Sequence, residues 1–177
     1  MAWTVNSPRA VPISPNSVAS VASTAALSAL NRLGMALGTE VEVTDPTYGA
    51  GKAVFVKHSV TCTVNQMVHY NQVAGTTALT PNTANTGQHF GVALAAATPS
   101  KYGWVLVYGA TPIKKSAVAI AVNVALYQSA TTGRCMSTTA SGKQLLGVRS
   151  LNTATVTATT STVVCQIARP IIQGRII

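Results

Sequence analysis

Beyond Thr39 the chain alternates apolar and polar residues with a period of two, the pattern of β-strands. From Val54 to Val64 every even position is Val, His or Cys. In GWVLVY (103–108) the even positions Trp, Leu and Tyr face one way and two valines face the other. VAIAVNVAL (118–126) alternates large with small side chains, and residues 153–168 alternate Thr with Ala or Val before becoming apolar. These runs predict strands with at least one buried face.

Turn-forming residues recur between the apolar runs. Many short strands separated in this way predict a mainly β domain over residues 39–177, built as a small barrel or a sandwich. Residues 76–88 have no periodicity and predict a long surface loop that makes contacts. The turn signals are Pro81-Asn82, Pro99-Ser100, Gly109, Gly133 and Ser141-Gly142.

The first fifteen residues contain three prolines, which break helices and cannot donate to a β ladder. An extended arm is therefore predicted. Because this arm carries Trp3, Val5, Val11 and Ile13, it is too apolar to be solvated, and we expect it to lie along a neighbouring subunit. A disordered tail is the alternative.

Residues 16–38 differ in composition, because they are rich in Ala, Leu and Met, which favour helix. Asn16 or Ser17 could cap the start of a helix and Gly38 could close it. The spacing of the apolar residues predicts roughly one helical face. We therefore divide the chain into an arm with a short helix (1–38) and a β-rich domain (39–177).

The stretch DPTYGAGK (45–52) resembles a phosphate-binding loop but lacks the residues that such a loop needs. Pro46 stands where the first glycine should be, and Ala53 follows Lys52 where a Ser or Thr should bind Mg²⁺. A strand pattern follows, whereas a phosphate loop leads into a helix. The stretch predicts a glycine-rich turn that enters a strand.

Acidic residues are confined to one short segment. Glu40, Glu42 and Asp45 are the three carboxylates of a chain with 8% charged residues, where soluble domains average about 25%. General acid–base pairs, catalytic triads and carboxylate metal sites need such groups spread around a pocket. We therefore expect no enzyme, no cofactor and no small-molecule substrate.

The net charge of +9 and the pI near 10.0 favour an acidic partner. Lys and Arg are scattered singly, apart from the pair Lys114-Lys115, and no basic run alternates with stacking aromatics. The pattern favours an acidic protein over DNA or RNA.

The chain has an odd number of cysteines, Cys62, Cys135 and Cys165, and they are far apart in the sequence. This pattern predicts that the protein is made in a reducing cytoplasm and that its thiols have a structural role. His58, Cys62 and His69 are candidate metal ligands, but His69 has the opposite strand parity and no fourth ligand stands nearby, so we expect no metal. The N-terminus lacks a signal-peptide pattern, and residues 18–37 are too polar to predict a membrane span.

The order of these pieces resembles the small head decoration, or cement, proteins of tailed bacteriophages. The resemblance is carried by YGAGKAVFVKHSV (48–60), FGVALAAATPSKYGWVLVYG (90–109), AIAVNVALYQSATTGRCMST (119–138) and GKQLLGVRS (142–150), and it covers about residues 49–150 plus the expected end of the sheet to Pro170. It implies a compact barrel- or tulip-like β domain. A glycine is usual in the turn before VALYQS in such proteins, and this chain has Asn123 nearby.

The resemblance implies a homotrimer on the outer face of the capsid, bound to the major capsid protein and bridging neighbouring capsomers. It carries over no catalytic residue. A tail or spike component is the first alternative, and an oligonucleotide-binding β barrel that uses Tyr102, Trp104 and Tyr108 is the second. Apolar and basic residues near the ends, with one basic pair, are the candidate capsid or subunit contacts: Trp3, Arg9, Val11, Ile13, Lys114, Lys115, Arg169, Arg175, Ile176 and Ile177.

Overall fold

The computed structural model describes residues 2–6, 19–20, 36–71 and 76–175, and this part of the chain is all β. The predicted β class is confirmed. Twelve strands follow one another: β1 Thr4–Val5, β2 Ala19–Ser20, β3 Glu40–Asp45, β4 Gly49–His58, β5 Met67–Asn71, β6 Thr76–Leu79, β7 Phe90–Ala93, β8 Lys101–Lys114, β9 Tyr127–Gln128, β10 Cys135–Met136, β11 Leu145–Ser150 and β12 Thr162–Ile172.

Five of these strands close into a small barrel. β4 pairs in parallel with β6, and the ring then runs through antiparallel pairs from β6 to β5, β7 and β8 and back to β4. Closure removes exposed edges from these strands. The barrel predicted from the short alternating runs is therefore present.

The period-two pattern of the barrel strands separates two apolar cores. On β4, Val54 and Val56 point into the barrel, whereas Phe55 points to the larger core outside it. On β8, Val105 faces the barrel and Trp104 faces the larger core. Both faces of these strands are buried, so the two stripes in each run are both apolar.

Strand β8 continues beyond the barrel and extends the same sheet, whereas β9 and β10 form a separate two-stranded hairpin. The C-terminal half of β8 pairs with β12, which pairs with β11. A bulge at Val107 shifts the register, because Ala53 opposes Leu106 whereas Lys52 opposes Tyr108. After this bulge the odd positions of β8 face the larger core. Gly109, which the sequence marked as a turn, instead lies within the strand with φ +117°, so that prediction is wrong.

The N-terminal residues add a strand to the chain's own sheet. Thr4 and Val5 of β1 pair with β3, and Trp3 is buried in the larger core with 1% of its surface exposed. The expectation that this part of the arm lies along a neighbouring subunit is therefore wrong for residues 2–6, because the indole packs into the larger core of its own chain beside Gly51. Residues 7–18, including Arg9, Val11 and Ile13, lie outside the described residues.

The described residues of the predicted helix (16–38) are not helical. Ala19 and Ser20 form β2, which pairs with the start of β8. Leu37 and Gly38 form a turn in which Gly38 has φ +83° and donates its N–H to Phe55 O at 2.8 Å. The rest of that segment, 16–18 and 21–35, lies outside the described residues.

Two further predictions of local structure are corrected. Residues 118–126 form no strand: Ile120 and Leu126 are buried, but Val122 is 47% exposed beside a turn in which Asn123 has φ +56°. Asn tolerates this left-handed conformation, so it serves where glycine is usual. In the predicted loop 76–88, the first four residues instead form β6, because they pair with both β4 and β5.

Candidate functional site

The glycine-rich stretch 45–52 forms the hairpin between β3 and β4. The Asp45 carboxylate accepts hydrogen bonds from the backbone N–H groups of Ala2 (2.7 Å), Thr47 (2.8 Å) and Tyr48 (3.1 Å). Burial raises the pKa of Asp45, but these three hydrogen bonds outweigh burial and lower the pKa below its ordinary value. The aspartate therefore holds the hairpin and the N-terminal strand together.

Gly51 is one of the glycines that make this hairpin resemble a phosphate loop, and close packing explains why a glycine is needed here. A Cβ on Gly51 would lie 2.7 Å from Tyr108 O and 3.2 Å from Trp3 Cζ3. The glycine is thus required by close packing of β4 against β8 and the indole. The stretch 45–52 is therefore a turn that leads into β4 and packs against residues of its own chain.

Glu40 is tied to two cations of its own chain. Arg169 Nη2 lies 2.9 Å and 2.8 Å from its two carboxylate oxygens, and Lys52 Nζ lies 3.7 Å from Oε1. Arg169 has φ +45° and precedes Pro170, a position that disfavours this conformation. These are the two ion pairs among the described residues, and both use the single carboxylate of Glu40.

A polar cluster lies inside the barrel. His58 Nδ1 is 3.1 Å from Thr77 Oγ1 and 3.6 Å from Cys62 Sγ. Burial lowers the pKa of His58 to about 4 and raises the pKa of Cys62. A catalytic Cys–His pair needs the opposite shifts, a stabilised thiolate beside an imidazolium. This cluster is a hydrogen-bonded part of the core.

The other two thiols are also buried. Burial raises the pKa of Cys135 to about 12 and raises that of Cys165 well above its usual range. All three cysteines are free, in agreement with the prediction of structural thiols. Among the described residues no group of three or more His, Cys, Asp or Glu side chains is placed to hold a metal ion.

The two residues of the predicted basic pair have different environments. Lys115 is 1% exposed, and its Nζ donates to the carbonyls of Ser116 (3.1 Å), Val118 (2.8 Å) and Ala158 (3.4 Å). Burial lowers its pKa. Its expected role as a surface contact is therefore wrong, because the ammonium is used to join two loops of its own chain. Lys114 remains at the surface, where its Nζ donates to Thr63 Oγ1 at 2.7 Å.

The other predicted contacts are distributed around the molecule. Trp3 is in the core, Arg169 is paired with Glu40, and Arg175 is exposed just after β12. Ile176 and Ile177 lie outside the described residues. The structure therefore does not bring the predicted residues together in one site.

Sequence reasoning missed a partly exposed sheet face beyond the barrel. Successive cross-strand pairs place Tyr108 and Ala110 of β8, Val164 and Gln166 of β12, Arg149 of β11 and the adjoining Leu151 on one side of the sheet. We call these six residues the open face. Tyr108 is 46% and Leu151 43% exposed. The alternation in 103–108 identified Tyr108 as a facing residue, but the bulge at Val107 that turns it outward left no signal in the sequence.

The sequence matches no family model, and no curated protein is significantly similar to it. In the described part of the chain, no helix is long and apolar enough to span a membrane.

Proposed function

We propose that this chain is a structural virion protein that binds the outer surface of a phage capsid and stabilises the shell by bridging neighbouring capsomers. In this proposal it is a homotrimer that contacts the major capsid protein, is made in the host cytoplasm, and performs no chemistry. The proposal is motivated by the resemblance to phage cement proteins of four motifs, at residues 48–60, 90–109, 119–138 and 142–150.

One observation supports the proposal most strongly: the ionisable groups that could do chemistry serve the fold instead. Asp45 accepts three backbone hydrogen bonds, Glu40 is paired with Arg169, and the Cys62 and His58 pKa values are shifted away from reactive forms. The protein provides contact area and carries more basic than acidic side chains. A partner with an acidic exterior would use both features, since opposite charge steers docking and buried area holds the complex.

Nucleic-acid binding receives less support from the positions of the aromatic side chains. Tyr102 is 3% exposed and Trp104 is 1% exposed, and both pack with Phe55 in the larger core. A base cannot stack on rings that are already covered. Tyr108 alone of the three candidates is at the surface.

A direct experiment is to mix the purified chain with undecorated heads of the virus that encodes it and to measure bound protein after sedimentation. The proposal predicts saturable binding at a fixed number of copies per head. Binding that never saturates, or no binding, contradicts it. Microscopy that places the protein at the tail or the vertex would instead favour the tail-component alternative.

A further inference from the structure

We infer that the open face is the docking surface, and that its partner is an acidic protein surface with a carboxylate placed opposite Arg149. This inference rests on the proposed function and adds to it which face of the chain meets the capsid protein. The candidate contacts predicted from the sequence do not include any residue of the open face.

The open face is formed by one side of three long strands whose other side is core. On β8, Thr111 and Ile113 are fully buried, and on β12 the same holds for Cys165 and Ile167. The intervening residues must therefore point the other way. The open face is therefore backed by the larger core, and Pro112, which lies opposite Val164 on the same side, is itself buried.

The side chains of the open face suit a broad contact. Ala110 opposes Gln166, and Gln166 opposes Arg149, so one row crosses all three strands with a small, a neutral and a cationic group. Leu151 donates its N–H to Val164 O at 2.8 Å, which places an exposed leucine beside a valine in the next row. Apolar and neutral side chains with an arginine at one edge match the composition of specific protein interfaces, in which arginine is enriched.

Charge distinguishes this face from the rest of the sheet. β8, β11 and β12 contain no Asp or Glu, because all carboxylate side chains lie on β3. Glu40 of β3 reaches Arg169 on β12, but neither ion pair of the described residues, Glu40–Arg169 or Glu40–Lys52, includes Arg149. Arg149 therefore has no carboxylate beside it on its own sheet.

One acidic residue, Glu42, shares a cross-strand row with the open face, and a cation lies beside it. Glu42 opposes Lys52 directly, and Lys52 opposes Tyr108 at the edge of the face. The ammonium of Lys52 also lies 3.7 Å from Glu40, and Arg169 contacts the same Glu40, so these two carboxylates and two cations balance as a group. Arg149 has only Gln166 across from it, so it is the cation that a partner carboxylate can neutralise, and a bidentate arginine–carboxylate contact would fix the orientation of the partner.

The test measures binding of variants to undecorated heads by sedimentation. Arg149→Glu replaces the cation of the open face by a negative charge, and we expect it to weaken binding by about tenfold or more. Lys101→Glu makes the same charge change outside the open face. Lys101 lies on β8 nine residues before Ala110, which shares a row with Arg149, a separation of about 30 Å along an extended strand, and this variant is expected to bind within about twofold of the wild type. Thermal unfolding of both variants checks that the fold is retained.

Each outcome has a definite meaning. Equal weakening by both substitutions would show attraction by net charge only and would overturn the inference, as would unchanged binding of Arg149→Glu. If Arg149→Glu instead converts an oligomer of the free protein into monomers, a second copy occupies the open face and the inference is wrong. If the wild type does not bind heads at all, the proposed function itself fails.

Discussion

The backbone of Gly51 lies against the indole of Trp3, so close that a Cβ on the glycine would be 3.2 Å from the ring carbon Cζ3. This contact joins the first residues of the chain to the hairpin that resembles a phosphate loop. It makes the N-terminal strand part of the domain.

Substitution of Gly51 by Ala should therefore destabilise the protein. The new Cβ would lie 2.7 Å from the backbone O of Tyr108, which cannot rotate away, so strands must shift. We expect a loss of about 1–3 kcal/mol in the free energy of unfolding, measured by urea denaturation. Gly174→Ala is the matched control, because its nearest contact would be 3.7 Å away, and it should change stability by less than about 0.5 kcal/mol.

Replacement of Trp3 by Ala should cost about 3–5 kcal/mol in the free energy of unfolding, because it empties a fully buried site in the larger core. The measurement is chemical denaturation followed by circular dichroism. A variant as stable as the wild type would show that residues 2–6 do not pack on their own domain.

Lys115 and Lys114 provide a test with neighbouring residues. Lys115→Met removes the ammonium that three backbone carbonyls share and leaves them without this donor in a buried place, so we expect a loss of about 1–3 kcal/mol in the free energy of unfolding. Lys114→Met removes one exposed hydrogen bond to Thr63 and should cost less than about 0.5 kcal/mol. Equal effects would contradict the assignment of a structural role to Lys115 alone.

Stability should fall as the pH is lowered from 6.5 towards 4. His58 is buried in the barrel with a pKa of about 4, whereas its ordinary value is 6.5, so the unfolded chain takes up a proton in this range and the folded chain does not. The difference corresponds to roughly 3 kcal/mol, fully present above pH 6.5 and lost by pH 4.

The measurement for His58 is the free energy of unfolding across this pH range in the wild type and in His58→Gln. The variant should show a clearly shallower pH dependence. His69, whose pKa is also lowered by burial, leaves a residual slope in both proteins. Identical slopes would mean that His58 is accessible to solvent.

The strands that the sequence predicted well are those in which local pattern and burial agree. Val54 and Val56 of β4 and Trp104 and Val105 of β8 fall on the expected faces, because period two is set by backbone geometry alone. Residues 118–126 show the limit of this reasoning. They alternate as cleanly, but they have no partner strand, and only the isolated bridge between Ile120 and Val156 forms.

The open face could not be predicted because it depends on an irregularity. The bulge at Val107 reverses the side to which later residues of β8 point, and nothing in GWVLVYG marks it. The burial of Lys115 and the pairing of Arg169 with Glu40 depend on contacts 43 and 129 residues apart in the chain. Such long-range contacts leave no local pattern.

The proposal that this chain acts through contact area on a capsid is tested most directly by electron cryomicroscopy of mature particles of the virus that encodes it. We expect density for the β domain on the outer face of the shell, repeated at symmetry-related positions between capsomers. A shell surface without that density, on particles that contain the protein elsewhere or lack it, would contradict the proposal.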